Sequence, residues 1–94
     1  MVLKGHNTVV TDGEKLFLNE TGNPGMATGG MGDVLTGIII GFLAQRLEPF
    51  EAARLGVYVH GRAGDMAAKK YGEVSLSPED VLEVAPDIIK EECG

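Results

Sequence analysis

The sequence predicts an α/β fold in which short antiparallel strands precede three helices. Three observations carry this prediction. The run Thr8-Val9-Val10-Thr11 is β-branched throughout and is followed by Asp12-Gly13; β-branched residues favour strands, and Asp-Gly favours a tight hairpin turn. From residue 32 onward, apolar residues recur at helical spacing in three blocks, parted by Glu48-Pro49 and by Gly72. Of the 94 residues, 44% are hydrophobic and 23% charged, the balance of a folded chain rather than a disordered one.

The elements follow in order. Met1-Val2-Leu3-Lys4 reads as an extended segment and Gly5-His6-Asn7 as a turn. Residues 8–11 form the next strand, and Lys15-Leu16-Phe17-Leu18 returns beside it, so residues 1–18 make a short meander. Three short strands cannot bury both of their faces, which implies a larger sheet elsewhere. Residues 19–32, rich in Asn, Thr, Gly and Pro, form a loop. A helix then starts near Gly32 or Asp33 and continues to about Gln45. Val34, Leu35, Ile38, Ile39, Ile40, Phe42 and Leu43 cover nearly its whole circumference, which predicts burial on all sides.

A second helix starts around Glu48-Pro49, where proline suits the first turn, and stops at Gly72. Ala52, Leu55, Val59, Ala63 and Met66 fall at spacings of three and four and mark its inward face. Gly56, Gly61 and Gly64 lie inside it. Each costs about 1 kcal/mol relative to alanine and is tolerable where another backbone approaches closely. For the third helix, Ser77 caps, Pro78 takes the first position, and Asp80 completes a capping box. Leu76 and Val81 are spaced for a hydrophobic staple, and Pro86 is expected to kink or divide the helix.

Several function classes are disfavoured. The chain carries 8 Lys+Arg against 14 Asp+Glu, a net charge of −6. Nucleic-acid binding needs a basic face, so it is not expected here. The lone Cys93 cannot form an internal disulfide. No signal peptide is visible at Met1, and the longest apolar run, residues 38–43, is far shorter than the about 20 residues that span a bilayer. The expectation is a cytoplasmic protein without membrane association. His60 and Asp65 stand five apart and do not share a helix face well; His60 is expected at the helix surface or an interface. No HxxxH or cysteine cluster suggests zinc.

The stretch that carries chemistry is Asn23-Pro24-Gly25-Met26-Ala27-Thr28-Gly29-Gly30-Met31-Gly32-Asp33. A glycine-rich turn feeding a helix presents free backbone N–H groups, and with the helix dipole these form a site for an anion, typically phosphate. Glycine lets the phosphate approach the backbone, and the Thr28 hydroxyl could donate to the same group. Asp33, in the first helical turn, is stabilised as a carboxylate by the dipole, by about 0.3–1 kcal/mol when exposed. Beside a phosphate, such a group could accept a proton from an attacking hydroxyl or hold Mg²⁺. The bland explanation stands beside this one: Asp is a common N-cap, and glycine-rich loops often precede helices. The run is neither a Walker A loop nor a dinucleotide-binding fingerprint.

Taken together with Lys4-Gly5-His6-Asn7-Thr8, Thr11-Asp12-Gly13, residues 52–61 and Ala63-Gly64-Asp65, this run resembles the C-terminal part of the ADP/ATP-dependent NAD(P)H-hydrate dehydratases. These are a branch of the ribokinase-like superfamily. The resemblance covers almost the whole chain and implies the C-terminal part of a three-layer ribokinase-like fold. It implies an enzyme that repairs hydrated NADH or NADPH, using ADP or ATP to activate the ring hydroxyl before phosphate is eliminated. On the same resemblance, Asp33 is the catalytic base and contacts the hydrated nicotinamide, together with Asn23. Lys4, Gly5, His6, Asn7, Thr8, Thr28, Gly29, Gly30 and Gly32 would hold the nucleotide, with Mg²⁺ expected beside its phosphates. A supporting role for Asp65 on the nucleotide side is the lesser of its two readings, and it is not counted among the site residues.

Length is the departure from the family. Its domains are several times longer, so residues 1–94 are expected to form a single partial domain. Association is expected with the missing N-terminal part or with further copies of the chain. Two other readings stay open: a ribokinase-like kinase acting on a small alcohol such as a vitamin precursor, and a truncated, non-catalytic nucleotide-binding module.

Overall fold

A computed structural model describes residues 2–3, 8–22, 26, 30–72 and 74–93. Three strands, β1 (Val2–Leu3), β2 (Thr8–Thr11) and β3 (Leu16–Asn19), precede three helices, α1 (Met31–Ala44), α2 (Pro49–Tyr71) and α3 (Pro78–Cys93). This is the predicted order of strands and helices. The strands form one antiparallel sheet in the order β1-β2-β3, with Val10 opposite Phe17 and Thr8 opposite Asn19.

The β2–β3 hairpin is closed by side chains. Asp12 Oδ1 accepts the N–H of Lys15 at 2.7 Å and that of Glu14 at 2.9 Å, and Gly13 takes φ 96°. These two N–H groups, Lys15 first, hold the Asp12 carboxyl below its ordinary value. Side chains alternate across the sheet. Val10 is buried and Phe17 half-buried against Leu35, Phe50 and Val57, whereas Leu16 and Leu18 face outward, 69% and 46% exposed.

Helix α2 is the hub, because it packs against α1, against α3 and against the sheet. Ala52, Val59, Ala63 and Ala67 on α2 are fully buried with Val34 and Phe42 of α1 and Val81, Val84 and Ile88 of α3. The small residues let neighbours come close. A Cβ at Gly56 would stand 2.6 Å from Ile39 Cγ1 of α1, so the close approach expected at the internal glycines is made there chiefly by a side chain rather than by backbone.

Both α2 and α3 cap themselves with side chains. Glu48 accepts from the Glu51 N–H at 3.2 Å, and Gly72 ends α2 with φ 87°. At α3 the box is reciprocal: the Ser77 N–H donates to Asp80 Oδ2 at 3.0 Å, and the Asp80 N–H donates to Ser77 Oγ at 3.3 Å. Leu76 and Val81 are both buried beside it. Arg62 pairs with Glu92 at 2.9 Å and joins the far end of α3 to α2.

One expectation is narrowed and one corrected. Helix α3 runs through Pro86 as one element, so of the two outcomes expected there division does not occur. Helix α1 is not buried all round: Ile40 is 58% and Leu43 42% exposed. The described neighbours, chiefly α2 and to a lesser extent α3, cover only part of its circumference. No helix among the described residues is long and apolar enough to cross a membrane.

Asp80→Ala should lower stability by about 1 kcal/mol, the usual worth of a cap, read in urea unfolding as a lower midpoint at unchanged slope. An unchanged midpoint would show that the box contributes nothing.

Candidate functional site

Helix α1 starts at a glycine. Its N-cap is Gly30, at φ 92° in the left-handed region that glycine tolerates, and among the described residues no side chain caps it. The Val34 N–H donates to the Gly30 carbonyl at 3.2 Å. The N–H groups of Met31, Gly32 and Asp33 precede that bond and have no acceptor within the helix. They face out of the helix end that carries positive potential. Gly32 is exposed, and a Cβ there would meet nothing within 4 Å, so packing among the described residues does not require glycine at this position.

Asp33 is the third residue of α1 and is exposed. It is not the N-cap, so capping does not explain an aspartate at this point, while the helix dipole favours an acidic residue in the first turn. Among the described residues it has no hydrogen-bond or ion-pair partner. Asp33 lies at a groove of about 520 Å³ between α1 and α3, lined also by Val34, Gly37, Ile38, Leu82, Ala85 and Ile89. A single carboxylate beside an apolar trough and a row of free amides can take a proton from a hydroxyl while an anion is held next to it.

The segment leading into α1 is anchored on α2. Asn19 is 3% exposed, and its Nδ2 donates to the Thr21 carbonyl at 3.3 Å and the Val57 carbonyl at 3.5 Å. The Thr21 hydroxyl donates back to Asn19 Oδ1 at 2.8 Å. Gly22, at φ 110°, donates its N–H to Asp65 Oδ2 at 3.0 Å. Thr21 lies against Gly61 and the Met26 thioether against Gly64, each in the space a Cβ would need. At the other end of the loop, a Cβ on Gly30 would reach 3.0 Å from Pro78 Cγ of α3.

Of the residues singled out from the sequence, Gly30, Gly32 and Asp33 are brought together at the start of α1. Thr8 starts β2 opposite Asn19, at the end of the sheet from which the loop departs. Lys4, Gly5, His6, Asn7, Asn23, Thr28 and Gly29 lie outside the described residues. His60 is buried at 6% exposure rather than at the surface, because it shares the α2 face of Val57 and Gly64 (three before and four after). The anchors Asn19, Thr21 and Gly22 were not singled out; the only signal for them was the pair of helix-interior glycines whose partner stayed unnamed. Among the described residues no group of three His, Cys, Asp or Glu is placed to hold a metal ion.

Known proteins resemble this chain in sequence and fold. The family described as NAD(P)H-hydrate dehydratase matches residues 1–87. The bifunctional NAD(P)H-hydrate repair enzyme Nnr of Moorella thermoacetica is 49% identical over 92 residues, 96% of this chain and 17% of that protein. The ADP-dependent (S)-NAD(P)H-hydrate dehydratase of Cenarchaeum symbiosum is 39% identical over 90 residues, 31% of its length. The crystal structure of ADP/ATP-dependent NAD(P)H-hydrate dehydratase from Bacillus subtilis, co-crystallized with ATP/Mg²⁺, superposes with a TM-score of 0.87 at 36% identity. That superposition takes in 96% of this chain and 33% of the other. The chain thus spans about a sixth of the bifunctional relative and a third of the dehydratases, 17% and 31–33%. With the ribokinase-like fold and the matched residues in agreement, the chain belongs to the NAD(P)H-hydrate dehydratase family.

Proposed function

We propose that this chain is the part of a nucleotide-dependent NAD(P)H-hydrate dehydratase that holds the nucleotide phosphates and supplies the reacting carboxylate. The observation that carries the reading is the start of α1: among the described residues no side chain caps its amides, and Asp33 beside them has no partner. A helix N-terminus in that state suits a phosphate, and a carboxylate next to it suits a proton acceptor.

The reaction then runs in two stages. Asp33 takes the proton from the hydroxyl on the hydrated nicotinamide ring as that oxygen attacks the terminal phosphorus of ADP or ATP. The bond from phosphorus to the bridging oxygen breaks, and AMP or ADP leaves. The ring carbon–oxygen bond of the phosphate ester breaks next, with loss of a proton from the neighbouring carbon, and phosphate departs. The ring double bond of NADH or NADPH is restored. Phosphoryl transfer of this kind asks chiefly for positioning and charge stabilisation, which free amides can provide. The remaining assigned residues, Lys4, Gly5, His6, Asn7, Thr8, Thr28, Gly29 and Gly30, would complete the nucleotide site, and Asn23 would join Asp33 on the substrate.

Mg²⁺ would neutralise phosphate charge. With no three-residue ligand group among the described residues, it would be held by phosphate oxygens, water and at most a carboxylate such as Asp33. Residues 1–94 would form one part of a larger ribokinase-like domain. The outward Leu16 and Leu18 and the exposed Ile40 and Leu43 support association with further polypeptide, from the same enzyme or another copy.

In the full-length protein, Asp33→Asn should abolish recovery of NADH absorbance from its hydrate. ADP affinity should stay within about tenfold, or about 1.4 kcal/mol. Retained turnover would remove Asp33 from the mechanism. Should the wild type phosphorylate a small alcohol and leave the hydrate untouched, the kinase reading replaces this one. Nucleotide binding without any turnover would instead mark a binding module.

A second pair of substitutions separates ligand contact from packing. Gly32→Val should weaken ADP binding by at least about tenfold with little change in melting temperature. Gly30→Ala should lower both, because Gly30 has a positive φ and Pro78 beside it. Normal ADP binding by Gly32→Val would mean that this turn does not cradle phosphate.

A further inference from the structure

The loop between β3 and α1 is held at four described points. Three of them, Thr21, Gly22 and Met26, rest on one short stretch of α2, residues 61–65, and the fourth, Gly30, lies against Pro78. Gly61 and Gly64 are both buried, and each leaves a notch where Thr21 and Met26 sit. Asp65 is the charged residue of this stretch that faces the loop, and its Oδ2 takes the Gly22 N–H at 3.0 Å. Gly22 lies 43 residues away in sequence and has φ 110°, so this bond selects one backbone conformation among the several open to glycine. The same loop runs on to Gly30 and Asp33.

We propose that Asp65 is a positioning residue for the reaction, fixing the glycine-rich loop from α2 through Gly22 so that the amides and carboxylate at the start of α1 meet the nucleotide in register. Its role is to accept a hydrogen bond. It neither exchanges a proton with substrate nor holds a metal. The proposal rests on the dehydratase reading given above and adds to it a residue that acts from outside the reacting centre.

The test compares three variants of the full-length protein, reading ADP affinity by calorimetry and kcat/KM for NADH hydrate. Asp65→Ala should reduce kcat/KM on the order of 100-fold, the scale of a misplaced reacting group, and should weaken ADP binding. Asp65→Asn keeps an acceptor oxygen in the same place and should recover most of both. Wild-type behaviour of Asp65→Ala overturns the proposal. So does an Asp65→Asn variant as impaired as Asp65→Ala, since that would mean the charge itself is used.

If Asp65→Ala does not fold, Gly64 decides the matter. Gly64→Ala drives a methyl into the Met26 thioether and should impair ADP binding, and adding Met26→Ala should restore it. An unimpaired Gly64→Ala, or no restoration, rejects the α2 anchor. A wild-type protein that neither binds ADP nor dehydrates the hydrate would instead reject the dehydratase reading.

Discussion

The seat of Thr21, Gly22 and Met26 on α2, at its glycine notches and Asp65, is the contact that organises the rest. An α-helix interior is a costly place for glycine, about 1 kcal/mol for each relative to alanine. Helix α2 carries Gly56, Gly61 and Gly64 and still runs for 23 residues. It can do so because its stability comes from packing on three sides, against α1, α3 and the sheet. The missing side chains let Ile39, Thr21 and Met26 approach the helix. The polar groups of the incoming chain are then satisfied locally, through Asn19, Thr21 and the Asp65 carboxylate.

Against that fixed base, the three helix starts differ in an informative way. Helices α2 and α3 meet their exposed amides with their own side chains, Glu48 in one and Ser77 with Asp80 in the other. Among the described residues, helix α1 has the backbone of Gly30 there, in a conformation glycine tolerates, and no side-chain acceptor. Amides in that state are what a site for an external anion requires. The groove between α1 and α3 adds an apolar wall beside Asp33, so charge recognition and apolar contact meet at one helix end.

Much of the architecture was legible because its signals are local. The Asp12-Gly13 hairpin, the Pro49 start, the Gly72 stop and the Ser77/Asp80 box all act within four residues, and each appears where its chemistry predicts. The position of Asp33 on the first turn of α1 was legible for the same reason. What escaped notice depends on long-range contact. The buried His60, the Asn19 bridge to Val57 and the bond from Gly22 to Asp65 join residues far apart in the chain, which no periodicity encodes. The exposure of Ile40 and Leu43 also departs from the pattern, since an all-apolar helix states how much cover it needs and not which neighbours supply it.

The most direct test of the account is a crystal structure of the full-length protein with ADP and NADH hydrate bound together. The ring hydroxyl should lie within hydrogen-bond reach of an Asp33 carboxylate oxygen, about 2.6–3.2 Å, with the terminal phosphate against the Gly32 and Asp33 amides. A hydroxyl directed at some other base, with the phosphate away from the start of α1, would contradict it.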